Sequence, residues 1–225
     1  GRVGQNQIGV WNIAGKVDGS MVGTWNVAGR TRGPVFGLIN QIGHADGPVF
    51  GLFNSVGNGF CAMNLVENEL GLAFVSLQTG TPWMHTNLNV GRTPSGAVKA
   101  LGAGFGTEFA MRGSSWIGLN YDWIFLFKNR SDWKELFAED DGLSFGLEFP
   151  FKTNKGNTLT QLRLEYGRRL SRYLGVYGGI SGNLLFSKDW NHVLVTPVGE
   201  YQGSVYRDRY YAWPGVFLGV RLGRH

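Results

Sequence analysis

From Gly142 to Ser187, apolar and polar residues alternate through three consecutive runs. In the first, Leu143, Phe145, Leu147, Phe149 and Phe151 share one parity, and Ser144, Gly146, Glu148 and Lys152 the other. After the turn at 153–157, Leu159, Leu162, Leu164 and Tyr166 contrast with Gln161, Arg163, Glu165 and Gly167. In the third, Leu174, Val176, Ile180, Leu184 and Phe186 oppose Tyr173, Gly175, Tyr177, Ser181 and Asn183. Successive side chains leave a strand on opposite faces, so each run predicts a strand with one apolar surface and one polar, glycine-rich surface.

Two properties of these runs point to a membrane. They last roughly 9 to 14 residues, whereas strands of water-soluble domains usually last about 5 to 6 and about 9 to 11 tilted residues cross a bilayer. Their polar face holds Gly, Ser, Asn and Tyr with isolated Glu or Arg, which is how the lumen of a transmembrane β-barrel is built. The alternation returns over 101–111, 117–127 and 216–222, and more weakly over 69–78 and 83–90. The chain is therefore expected to be all-β, with residues 69–225 forming an antiparallel transmembrane β-barrel of about eight strands.

Residues 5–57 follow another rule. The unit apolar-Gly-x-apolar-Asn occurs at Ile8–Asn12, Val22–Asn26, Phe36–Asn40 and Phe50–Asn54, fourteen residues apart each time. Glycine-bounded polar segments at 15–19, 29–33 and 43–47 separate the copies as turns do. Phe60–Asn64 reads as a fifth, decayed copy. A fixed period of this kind predicts stacked or meandering β units. Both parities of each copy are apolar, which favours packing on both faces, and a recurring Asn would form a hydrogen-bonded ladder along a stack. Residues 1–68 are thus expected to form a β-repeat module, with extra barrel strands as the other architecture the pattern allows. No helix pattern follows the glycines, so they read as packing glycines and not as a nucleotide loop.

The unit Gly-apolar-x-Asn-apolar-Ala-Gly at fourteen-residue spacing, as in Ile8 to Gly15 and Val22 to Gly29, is similar to the repeats of bacterial surface-repeat proteins of diderm species. The resemblance spans the N-terminal repeats only. It implies a place in a bacterial envelope and transfers no catalytic residue.

Composition narrows the class without changing it. The 225 residues include 36 glycines and are 16% charged, and no run approaches the about 18 apolar residues of a membrane helix, which excludes a helical membrane protein. A mean hydropathy of −0.12 suits a barrel, where only alternate residues meet lipid. The single Cys61 rules out an intramolecular disulfide framework. The chain begins at Gly1 without an initiator Met, as a mature or trimmed chain would.

The net charge of +5 raises the question of nucleic acid. Arg168, Arg169 and Arg172 form the one tight basic cluster, and they flank a hairpin turn without an aromatic platform or helix. No nucleic-acid partner is expected. At headgroup level these arginines would meet lipid phosphates, whose geometry suits guanidinium. The aromatics Trp123, Phe127, Phe149, Phe151, Tyr211 and Trp213 lie towards strand ends and are expected to point outward as membrane-interface belts.

Candidate chemistry is sparse. The histidines His44, His85, His192 and His225 lack metal-ligand spacing, no Gly-x-Ser-x-Gly elbow occurs, and no cofactor is indicated. Ser187, Asp189 and His192 sit together only at a strand–loop junction. Glu108, Asp122, Glu148, Arg163, Glu165 and Arg221 have inward parity and read as a paired lumen network, because buried charges require partners. The connections 128–141 and 188–209 are longer than hairpins need. By the strand count they leave from opposite rims, unless one contains an internal hairpin or the count is off by one. The function expected is a non-enzymatic bacterial outer-membrane barrel with a structural or partner-binding role. Its partners would be outer-membrane lipid and envelope proteins met through the repeats and these two loops. A small-solute pore and a lipid-modifying enzyme are the alternatives, and a soluble β-sandwich the non-membrane reading.

Overall fold

The structure, a computed structural model, describes residues 1–127, 157–187, 201–205 and 208–224. Among these, every regular element is a β-strand. The repeats form β1 (Arg2–Val3), β2 (Gln7–Ile8), β3 (Trp11–Val17), β4 (Met21–Val22), β5 (Trp25–Thr31), β6 (Val35–Phe36), β7 (Ile39–Ala45), β8 (Val49–Phe50) and β9 (Phe53–Val56). Odd-numbered strands make one parallel sheet and even-numbered strands another. Pairing keeps the period of the sequence: Trp11, Trp25, Ile39 and Phe53 lie in one column, and Asn12, Asn26, Asn40 and Asn54 in the next. One copy is therefore one coil of a flattened solenoid, and the copies are not staves of the barrel.

Two columns hold the coils together. Val17, Met21, Ala28, Val35, Ile42, Ala45 and Val49 fill the space between the sheets. Beside them the asparagines are buried, and each Nδ2 donates to the Oδ1 of the next coil, Asn12 to Asn26, Asn26 to Asn40 and Asn40 to Asn54, all at 2.8 Å. The same amides donate to Val22, Phe36 and Phe50 carbonyls at 2.9 Å. Gly37 precedes its Asn by three residues because a Cβ there would stand 2.5 Å from Asn26 Nδ2.

The barrel comprises β10 (Phe60–Asn68), β11 (Ala73–Thr81), β12 (Met84–Arg92), β13 (Lys99–Ala110), β14 (Ser115–Phe127), β15 (Asn157–Arg169), β16 (Leu174–Ser187) and β18 (Asp208–Arg224), with β17 (Tyr201–Val205) paired to the start of β18. Neighbours are antiparallel in chain order, and β10 pairs with β18 to close an eight-stranded cylinder. Short turns at 82–83, 111–114 and 170–173 share one rim with both ends of the barrel. The connections 128–156 and 188–207 leave from the other rim, since only β15 and β16 separate them.

Several expectations are corrected here. Phe60–Asn68 is not a fifth repeat but a barrel strand bonded on both sides, so the barrel begins before residue 69. Leu70 and Leu72 belong to the β10–β11 turn, where they are buried as part of the barrel's apolar core. Leu159 points inward with Gln161, because β15 keeps one parity from end to end. The run 142–152 lies outside the described residues, and β14 pairs directly with β15, so the eight staves are complete without it. The two long connections leave from the same rim and not from opposite ones.

Candidate functional site

The lumen is where the chemistry-bearing side chains converge, because one parity of every stave points into it. Arg221 on β18 is fully buried at the centre. Its Nε donates to Asn64 Oδ1 at 2.9 Å and its Nη2 to Glu165 Oε1 at 2.8 Å, and its Nη1 donates to Glu108. Trp116 donates Nε1 to the same Glu165 oxygen at 3.1 Å and lays its ring 4.6 Å from the Arg221 guanidinium. A second group lies deeper towards the other rim. Arg163 donates to Asp122, with Nη2 2.7 Å from Oδ2, and Asp122 Oδ1 accepts from Asn87 at 3.1 Å and Asn89 at 2.8 Å. His85 Nε2 and Asn120 Oδ1 are 2.8 Å apart beside them. Towards the rim with the long connections, Glu69 accepts from Trp213 Nε1 at 2.6 Å and from Asn183 Nδ2 at 3.0 Å.

The glycines of the inner face seat the rings of this network. A Cβ on Gly167 would stand 2.1 Å from the Trp116 ring, and one on Gly219 would stand 2.5 Å from the Tyr177 ring. The glycine-rich face thus supplies room for large side chains and not an open bore, as expected of an eight-stranded barrel filled by its own residues.

The outer wall is the reverse. Phe105, Leu119, Leu164, Ile180, Val216 and Leu218 all point outward, with Ile180 61% and Leu218 72% exposed. Exposed large apolar residues occur on all eight staves.

The predicted residues are distributed as follows. Glu108, Asp122, Arg163, Glu165 and Arg221 are brought together in the lumen, while Glu148, Phe149 and Phe151 lie outside the described residues. Trp123 points outward beside Tyr121, with ring centroids 6.0 Å apart. Phe127 is buried at the end of β14. Tyr211 and Trp213, expected outside, face the lumen: β18 continues unbroken through Pro214, so they share the parity of Phe217 and Arg221. Pro214 is tolerated because β17 begins opposite Ala212 and β10 ends opposite Phe217, leaving it without a paired strand on that side. Arg168 and Arg172 are exposed at the short-turn rim, Arg172 with its guanidinium 5.4 Å from the Tyr173 ring. Arg169 leans inward, 3.9 Å from Glu108.

Sequence reasoning missed Asn64, Glu69, His85, Asn87, Asn89 and Trp116 as members of the network. The signal for three of them was present, since His85, Asn87 and Asn89 alternate with Thr86, Leu88 and Val90.

The solenoid is fastened to the wall by its last coil. Asn54 lacks a further coil, and its Nδ2 donates instead to Thr86 Oγ1 at 3.3 Å, while its backbone N–H donates to Thr79 Oγ1 at 3.3 Å. Thr86 Oγ1 donates to the Gly51 carbonyl at 2.5 Å. Among the described residues, no cluster of three His, Cys, Asp or Glu side chains is arranged to hold a metal ion, and no helix is long and apolar enough to cross a membrane. No protein-family model matches the chain, and no curated protein matches it in sequence.

Proposed function

We propose that this chain is a non-enzymatic, integral outer-membrane β-barrel of a bacterium, with a structural or partner-binding role carried by its solenoid. The observation that supports this best is the inverted polarity of the barrel. Charged and amide groups are paired inside while large aliphatic and aromatic residues stand outside on every stave. In water, a monomer rarely exposes apolar patches beyond a few hundred Å²; a bilayer turns the same surface into a solvated one.

The filled lumen weighs against a pore, since Arg221 and its carboxylates occupy the bore. Outer-membrane barrels keep short turns on the periplasmic side and long loops outside. By that rule the solenoid, which shares the short-turn rim, faces the periplasm, and 128–156 and 188–207 face outward. Envelope proteins would then meet the repeats from within. Arg168 and Arg172 would lie among headgroups at that rim.

The test is partitioning. The protein is expected in outer-membrane fractions, extractable only with detergent and migrating faster on gels before boiling than after. Recovery as a monodisperse monomer in detergent-free buffer would overturn the reading, and so would large, stable single-channel conductance, which would make it a pore.

A further inference from the structure

We infer that the solenoid lies along the bilayer surface, with one corner of every coil resting on phospholipid. This rests on the membrane reading of the barrel and adds a second, separate lipid contact.

Each coil has two unlike corners. Ile8, Val10, Trp11 and Ile13 form the first and stand 77%, 67%, 67% and 71% exposed, and Leu38 and Phe53 continue that ridge in later coils. The opposite corner carries Lys16, Asp18, Arg30, Arg32, His44 and Asp46, linked by ion pairs. In register, Trp11 continues through Trp25, Ile39 and Phe53, and Val10 through Leu38 and Leu52, with Thr24 between Val10 and Leu38. The ridge is therefore not one exposed residue but a column carried through the stack, which a soluble arm has no reason to keep.

The mounting of the stack brings this ridge to lipid. Thr79 and Thr86, which hold the last coil, are cross-strand partners on the lipid-facing side of β11 and β12, and the next outward pair on the same strands is Leu77 with Leu88. At about 3.4 Å per residue, the two threonines lie roughly 10 Å from the turn at Pro82. The stack thus projects sideways from the margin of the apolar wall and does not hang below the rim. Gly51, at the apolar corner, is bonded to Thr86, whereas the charged corner continues through Asn58 and Gly59 to Gly80, one residue nearer the turn on β11. The apolar corner is consequently the belt-side one, continuous with the wall, and its Trp11 is of the type that settles at headgroup depth.

Spin labels test this. In a Cys61→Ser background, single cysteines are placed at Val10, Leu38, His44 and Ile180, and each protein is reconstituted in phospholipid vesicles and checked for heat-modifiable migration. Collisional accessibility to oxygen and to a water-soluble nickel chelate is then read. Val10→Cys and Leu38→Cys should show an oxygen-to-nickel ratio well above that of His44→Cys and approaching that of Ile180→Cys. Water-like ratios at Val10 and Leu38 with a lipid-like ratio at Ile180 would overturn the solenoid contact and leave the membrane barrel standing. Water-like ratios at all four would remove the membrane reading itself. Exclusion of both reagents at Val10 and Leu38 would mean that protein, a second copy or a partner, covers the ridge instead, and would also overturn the inference.

Discussion

Arg221 and Glu108 meet across the full width of the barrel, from strands with three others between them whichever way the wall is followed. The same guanidinium also holds Glu165, so one cation ties three parts of the wall together. Arg221→Ala would leave two buried carboxylates without their partner, which should cost about 3 to 5 kcal/mol. The midpoint of urea unfolding in detergent should fall accordingly, and a change below about 1 kcal/mol would show that the network is not desolvated.

On the outer wall the sign of a charge substitution reverses. Ile180→Arg, on a residue 61% exposed, would be nearly neutral on a water-facing strand. At the bilayer midplane it should cost about 2 to 4 kcal/mol. Comparing refolding yields in lipid vesicles of graded thickness separates the two outcomes.

The barrel's first stave sets where the chain can be cut. Removal of residues 1–59 should leave a closed, protease-resistant, heat-modifiable barrel. Removal of residues 1–68 takes away β10, which bonds both β11 and β18, and should expose two strand edges and produce aggregates. Equal behaviour of the two truncations would contradict the closure described here.

Coils should be removable only as whole units. Excising Trp25–Leu38, one period of fourteen residues, lets Asn12 bond Asn40 and keeps every column in place. Excising 25–37 shifts each later residue by one position and puts the buried asparagines on the wrong face. Trypsin resistance of the repeat region should survive the first deletion and be lost in the second.

Acid should loosen the charged corner before the barrel. A hydrogen bond from Arg2 holds Asp18 below the usual carboxylate range, and one from Arg30 does the same for Asp46. A depressed folded pKa means stabilisation that is present above the unfolded value of about 3.9 and is lost as pH falls through the folded one. Pepsin cleavage between residues 15 and 47 should therefore rise as pH drops below about 4. The double variant Asp18→Asn with Asp46→Asn should show no such rise.

Period-two patterning made the faces of β13, β14, β15 and β16 legible, because each stave keeps apolar groups on its outer face and buried polar or glycine positions on its inner face over most of its length. Fourteen-residue spacing likewise made the asparagine ladder legible. The failures have local causes. Phe60–Asn64 imitates the repeat's apolar-x-x-apolar-Asn ending, although Met63 and Leu65 already flank Asn64 in barrel fashion. Leu70 and Leu72 look like strand positions but are buried at a turn. Pro214 resembles a strand end, which hid the inward parity of Tyr211 and Trp213. Glu69 sits in a turn, and no sequence rule sends a turn residue into a lumen to meet Trp213.

The place of Arg221 in the chain also bears on closure of the barrel. It lies on β18, which follows the other seven staves in chain order, and the carboxylates it serves lie on earlier ones. Until β18 arrives, Glu108 and Glu165 have no guanidinium from Arg221, and their charge favours a wet, open sheet over a dry, closed one. β18 therefore brings both the closing edge and the cation. Shutting the cylinder and bringing its interior to electroneutrality thus fall to the same strand.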